Sequence, residues 1–86
     1  MDKVWHDKAW EEYTAWQREN KNVLKRINEL IKDIDRHPFT GIGKPEPLKG
    51  NKQGYWSRRI DAVNRIVYKV EQDQLIVAQC GRHYDD

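Results

Sequence analysis

Cysteine is nearly missing from this chain. Cys80 stands alone, which excludes an intrachain disulfide and is compatible with a reducing compartment. No apolar run approaches the length that spans a bilayer, and the start, Met1-Asp2-Lys3, turns amphipathic almost at once without a signal-peptide pattern. A soluble cytoplasmic protein with no membrane partner is expected. There is no serine or cysteine triad and no spacing suited to a metal cage; His6 and His37 have no partner at ligand spacing and read as structural. No cofactor and no metal are expected.

Nor does one sign of charge dominate. Sixteen basic and 14 acidic residues give a net charge of +2, too little to announce a polyanionic partner. The distribution says more: from Lys44 to Lys69 the basic positions are Lys44, Lys49, Lys52, Arg58, Arg59, Arg65 and Lys69, against only Glu46 and Asp61. A polyanion suits that half. With 86 residues the chain makes one small domain, residues 1–86, and 37% hydrophobic content still supplies a two-layer core.

Residues 3–6 read as a short strand, followed by Asp7 as a helix N-cap. Trp10, Tyr13 and Gln17, with Trp16 beside them, suit a first helix that breaks near Asn20. In a second helix Val23, Leu24, Ile27, Leu30, Ile31 and Ile34 recur at three- and four-residue intervals, and Pro38 ends it. Gly41, Gly43, Pro45, Pro47, Gly50 and Asn51 mark a long, stiff connection with Glu46 held between its prolines. Strands are expected at 54–60, 65–71 and 75–80, joined by turns at 61–64 and 72–74. Ile66, Tyr68 and Val70 share one face and Arg65, Val67 and Lys69 the other, so helices cover one side and function belongs on the open side. For Arg59 and Arg65 to stand opposite each other there, the hairpin needs an odd loop or a bulge. The fold class is α+β, two N-terminal helices on one face of a twisted, mainly antiparallel sheet.

One carboxylate, one imidazole and several guanidinium groups match what RNA cleavage by its own 2′-hydroxyl requires. That reaction needs a base for the 2′-hydroxyl proton, an acid for the departing 5′-oxygen, and cations for the phosphoryl charge. Glu46, His83 and the Arg59/Arg65 pair supply these types, and an ordinary imidazole pKa of about 6.5 suits proton donation near neutrality. Most such residues in a hydrophilic domain are simply solvated, so the assignment depends on their convergence. Tyr55 and Trp56 are candidates for stacking on bases, with packing the competing role for Trp56. Arg58 alternates with Arg59 and is expected at the rim or against a partner. Trp5, Trp10 and Trp16 read as core or interface anchors.

Arg26-Ile27-Asn28-Glu29-Leu30-Ile31-Lys32-Asp33, Gly43-Lys44-Pro45-Glu46-Pro47-Leu48-Lys49, Gly54-Tyr55-Trp56-Ser57-Arg58-Arg59-Ile60, Arg65-Ile66-Val67-Tyr68 and His83-Tyr84 together resemble the YoeB-type toxins of bacterial toxin-antitoxin pairs, within the RelE-like family of ribosome-dependent mRNA endonucleases. The resemblance runs nearly end to end. It implies a RelE-like fold, with mRNA, the ribosome and a cognate antitoxin of the YefM type as partners, a homodimer, and no direct DNA binding by this chain alone. It further implies metal-free cleavage with Glu46 as base, His83 as acid, Arg65 stabilising the phosphoryl charge and Tyr84 orienting the substrate. Lys49, Arg59, Ser57 and Tyr55 are implied on the substrate-binding side. An RNA- or ribosome-binding module that blocks translation without cleavage is the alternative. Similar toxins carry arginine directly after the final cysteine; here Gly81 intervenes before Arg82, and Asp85 and Asp86 extend the tail.

Overall fold

The computed structural model describes residues 1–81. Its elements run β1 (Asp2–Trp5), α1 (Asp7–Glu19), α2 (Lys21–Arg36), β2 (Glu46–Pro47), a 3-10 turn (Gly50–Lys52), β3 (Trp56–Arg59), β4 (Arg65–Glu71) and β5 (Gln74–Gly81). The strands form one open sheet in the order β1-β5-β4-β3-β2, with β1 parallel to β5 and every other pair antiparallel. This is the expected α+β architecture. No helix among the described residues is long and apolar enough to cross a membrane.

Asn20 separates the helices and caps the second, its side chain accepting from the Asn22 and Val23 amides. The N-cap of α1 is His6 rather than Asp7, which lies in the first turn, where its carboxylate still favours the helix dipole. Tyr13 Oη donates to Asn28 Oδ1 at 2.7 Å, bringing residues on either side of Asn20 together as an antiparallel hairpin requires. The α2 stripe Val23, Ile27, Leu30 and Ile34 packs with Ala9 on Ile66, Tyr68, Leu75, Val77 and Cys80.

Val77 and Cys80 are three residues apart yet both enter this core, which strict alternation forbids. Val67 pairs with Gln79 and Tyr68 with Val77, leaving Ala78 as the extra residue of a bulge that resets the alternation. The turn before β5 is tighter than expected: Glu71 pairs with Gln74, and Gln72 and Asp73 both have positive φ, as a two-residue type I′ hairpin demands. Beyond Trp5 the edge of β5 has no strand beside it among the described residues. Instead the Cys80 amide donates to Glu12 Oε1 and Trp16 Nε1 donates to the Cys80 carbonyl, each at 2.9 Å. A Cβ at Gly81 would stand 2.2 Å from Glu12 Oε2, so the glycine makes room for this carboxylate.

Arg58 is a correction to the sequence reading. It is fully buried, on the face that packs against the helices, because Arg58 pairs with Ile66 and Ile66 with the core residue Cys80. Its guanidinium has five donor hydrogens, and the partners are five. Nε donates to Tyr68 Oη at 3.1 Å, Nη1 to Asp33 Oδ2 at 2.6 Å and the Ile42 carbonyl at 3.1 Å, and Nη2 to the carbonyls of His37 and Thr40. Asp33 Oδ2 also accepts from the Ile42 amide, and Tyr68 Oη donates to the Pro38 carbonyl. Gly41 (φ +116°) is needed because a Cβ there would lie 2.0 Å from Asp33 Oδ2. Residues 37–43 are thereby wrapped around one buried cation.

The hydrogen bond from Arg58 holds the Asp33 carboxyl below its usual range. A folded pKa below the unfolded value, near 4, stabilises fully above the unfolded pKa, and that contribution is lost as pH falls through the folded one. Asp33→Asn leaves the buried Arg58 charge unneutralised and is expected to cost about 3–5 kcal/mol at neutral pH. It should also flatten the decline in stability between roughly pH 5 and pH 2 relative to wild type. Urea melts across that range check both; parallel acid limbs in the two proteins contradict the assignment.

Candidate active site

The site is built on the sheet face opposite the helices. Glu46 pairs with Ser57, Ser57 with Val67 and Val67 with Gln79, so these four share a row across β2, β3, β4 and β5. Arg59, Arg65 and Gly81 form the adjacent row. The loop 60–64 between the two arginines holds an odd number of residues, and Arg59 and Arg65 are register partners, as the alternation demanded. Asp61 shapes that loop: its Oδ1 accepts from the Val63 and Asn64 amides, and the Ile60 amide donates to the Asn64 carbonyl.

Glu46 lies on β2, a strand that the sequence reading folded into the connecting loop. Two residues flanked by prolines give little strand signal, and Pro47 is tolerated because β2 is an edge. Three hydrogen-bonded contacts fix its path on β3: Arg59 amide to the Gly43 carbonyl at 2.7 Å, the β2–β3 pairing, and Leu48 amide to the Tyr55 carbonyl at 2.9 Å. A Cβ on Gly43 (φ +81°) would sit 2.8 Å from Leu30 Cδ2, so this glycine also lets the segment approach α2. The result is that Glu46 Oε1 lies 4.0 Å from Arg65 Nη1, with the Glu46 side chain largely in solvent.

Tyr55 is half-buried on the same face as Ser57, its ring 5.1 Å from the Lys69 ammonium. Lys49 is exposed at the head of the 3-10 turn. Ser57 is fully buried, and its hydroxyl has no hydrogen-bond partner among the described residues. Trp56 faces the opposite way, packing on the core and on Phe39 with ring centroids 4.9 Å apart, so packing is its role. Trp5, Trp10 and Tyr13 form their own aromatic cluster at 4.7–5.9 Å. His83 and Tyr84 lie outside the described residues; the Glu12 and Trp16 clamp on Cys80 holds the strand end that precedes them. Neither clamp residue carried a sequence signal for this role. Among the described residues no three His, Cys, Asp or Glu side chains converge as metal ligands. Burial pushes the Cys80 thiol up to about 12, with Glu12 adding to the shift, so it is no nucleophile at neutral pH.

Residues 5–84 match the model of the YoeB-like toxin of the bacterial type II toxin-antitoxin system. The chain belongs to this family. Toxin YoeB of Escherichia coli (strain K12) is 51% identical over 84 residues, covering 98% of this chain and all of that one. The solved YoeB/ParE toxin of Agrobacterium tumefaciens superimposes with a TM-score of 0.95 at 49% identity, covering 98% of this chain and all of that one. A YoeB-YefM complex from Staphylococcus aureus matches with a TM-score of 0.91 at 45% identity, covering 98% of each chain; a YoeB dimer from that organism also matches at 0.91, with 44% identity and the same coverage. The RelE-like fold expected from the sequence is the fold of these YoeB toxins.

Two guanidinium groups placed directly across a strand pair repel, at a cost of about 0.2–1 kcal/mol. Arg59→Gln is therefore expected to stabilise the free YoeB-family chain by that amount at low ionic strength, with the gain shrinking in high salt. Denaturant melts at two salt concentrations measure it; a destabilised variant contradicts the repulsion.

Proposed function

We propose that the chain is a ribosome-dependent mRNA endoribonuclease that cuts translated mRNA by metal-independent general acid/base chemistry. The observation that carries this reading is the Glu46 carboxylate set 4.0 Å from Arg65, beside the opposed Arg59, on the sheet face that the helices leave open. A base for a hydroxyl proton and cations for a phosphoryl group are there side by side. Glu46 takes the 2′-hydroxyl proton, the 2′-oxygen bonds to the adjacent phosphorus, the bond to the 5′-oxygen breaks, and that oxygen receives its proton from the His83 imidazolium. Arg65 neutralises the phosphoryl oxygens while Arg59 and Lys49 hold the strand's phosphates and Tyr55 offers a stacking surface. Ser57, the register partner of Glu46, belongs to the substrate-binding side, and Tyr84 orients the reacting nucleotide. The products are a 2′,3′-cyclic phosphate and a free 5′-hydroxyl.

Membership of the YoeB family, together with the S. aureus YoeB-YefM complex and dimer, supports a YefM-type antitoxin as the silencing partner and a homodimer as the assembly. The cytoplasm, where translating ribosomes are, is the place of action. Mapping RNA ends in translation reactions tests the reading. Wild type is expected to create new 5′-hydroxyl ends within translated messages, and Glu46→Gln and His83→Ala each to slow their appearance by about 10²–10⁴-fold. Stalled ribosomes without new ends would replace cleavage by blockade, and unchanged rates in either variant would remove that residue's role.

A further inference from the structure

A cleft of about 520 Å³ opens between the start of α1, the 3-10 turn and the bulge of β5. Its volume falls in the range of about 300–1,000 Å³ that small-molecule groups occupy. It lies on the same face as Glu46, because Gln79 in its wall belongs to the row Glu46-Ser57-Val67-Gln79 and Tyr55 precedes Ser57 by two residues on β3's side of the sheet. The chemistry of the lining is specific. Tyr55 and His6 bring planar rings, Asn51 an amide that both donates and accepts, and Lys52 and Lys8 ammonium groups, that of Lys8 donating to Oε1 of the buried Gln79 at 3.4 Å. Ala78, the bulged residue, has only a methyl group, which leaves room above the β5 backbone. No carboxylate lines the cleft among the described residues.

We propose that this cleft is a second RNA subsite, holding the nucleotide that flanks the scissile linkage, and the inference rests on the nuclease reading above. The base packs against Tyr55 and His6, its edge meets the Asn51 amide, and the phosphate lies toward Lys52. Rings for stacking, amides for base edges and a cation for phosphate are the three elements by which single-stranded RNA is bound. An acidic polypeptide would use the lysines but has little need of two ring platforms flanked by an amide. The sequence reading set His6 aside as structural, since only the fold carries it from the first turn of the chain to the β5 bulge, where its amide donates to the Val77 carbonyl at 3.0 Å.

The test is a titration of the isotopically labelled full chain with a single-stranded hexaribonucleotide whose central 2′-hydroxyl is replaced by hydrogen, so that it binds without being cut. Amide signals of His6, Lys52, Tyr55 and Ala78 are expected to shift together with those of Glu46 and Arg65. Tyr55→Ala should weaken binding by at least about fivefold, the low end of base stacking. Lys52→Gln should lower the slope of log K against log salt by about 0.7. In the translation assay both variants should raise KM more than they lower kcat. Tyr55 and Lys52 are half-buried, and Asn51→Ala, at an exposed position, provides a variant that keeps the fold.

If wild type binds the oligonucleotide in the cleft but makes no new RNA ends, the nuclease reading fails and the cleft stands as an RNA-binding site with no scissile linkage beside it. If cleavage proceeds while Tyr55→Ala, Lys52→Gln and Asn51→Ala all bind and cut as wild type does, the subsite is overturned and the nuclease reading stands. Cleft signals that respond to an acidic antitoxin peptide and not to RNA overturn it as well.

Discussion

The structure depends on one buried cation. Arg58 sits where the core side of β3, the end of α2 and the loop after it meet, and each of its five donor hydrogens has an acceptor. Only one of those acceptors carries a charge; three are backbone carbonyls of residues 37, 40 and 42. A guanidinium can satisfy so many groups at once because its fork is planar and fixed, which an ammonium is not. The hub therefore sets where the loop runs, and the loop sets where β2 joins the sheet. Glu46 owes its position to an arginine on the other face.

The open face follows the opposite logic. Arg59 and Arg65 confront each other, Glu46 is largely in solvent, and the buried Ser57 hydroxyl has no partner among the described residues. The opposed guanidinium groups repel in the free protein, and a ligand carrying negative charge would relieve that repulsion. The helix-facing layer, by contrast, satisfies its polar groups and fills its apolar space. The satisfied polar groups lie on one side of the sheet and the opposed cations on the other.

Much of this was legible in the sequence, for identifiable reasons. The α2 stripe and the β4 alternation are long and strictly periodic, so helix, strand and covered face could be read directly. The Arg59–Arg65 pairing was only a condition, an odd loop or a bulge; the expected turn 61–64 has four residues, and the fold supplies the fifth by ending β3 at Arg59. Arg58 was misread because an arginine next to another arginine in a basic stretch signals solvent, and only the fold brings Asp33 and three carbonyls to it. β2 was too short and too rich in proline to be seen. The Ala78 bulge leaves no trace in local composition, because it answers to the registers of two neighbouring strands. Gly41 and Gly43 were read as loop punctuation; their physical reason is the close approach of Asp33 and Leu30. Gly81 was noted as a departure, and the Glu12 carboxylate beside it supplies the structural cause.

Native-state hydrogen exchange on Arg58→Lys tests the hub most directly, since lysine keeps the charge and loses the fork. The Arg59 amide, bonded to Gly43, and the Leu48 amide, bonded to Tyr55, report on the arm that carries Glu46. Val67 and Val77, in the β4–β5 ladder, report on the sheet. The account predicts that protection at Arg59 and Leu48 collapses in Arg58→Lys while Val67 and Val77 remain protected. Equal loss at all four amides, or no loss at the first two, would contradict it.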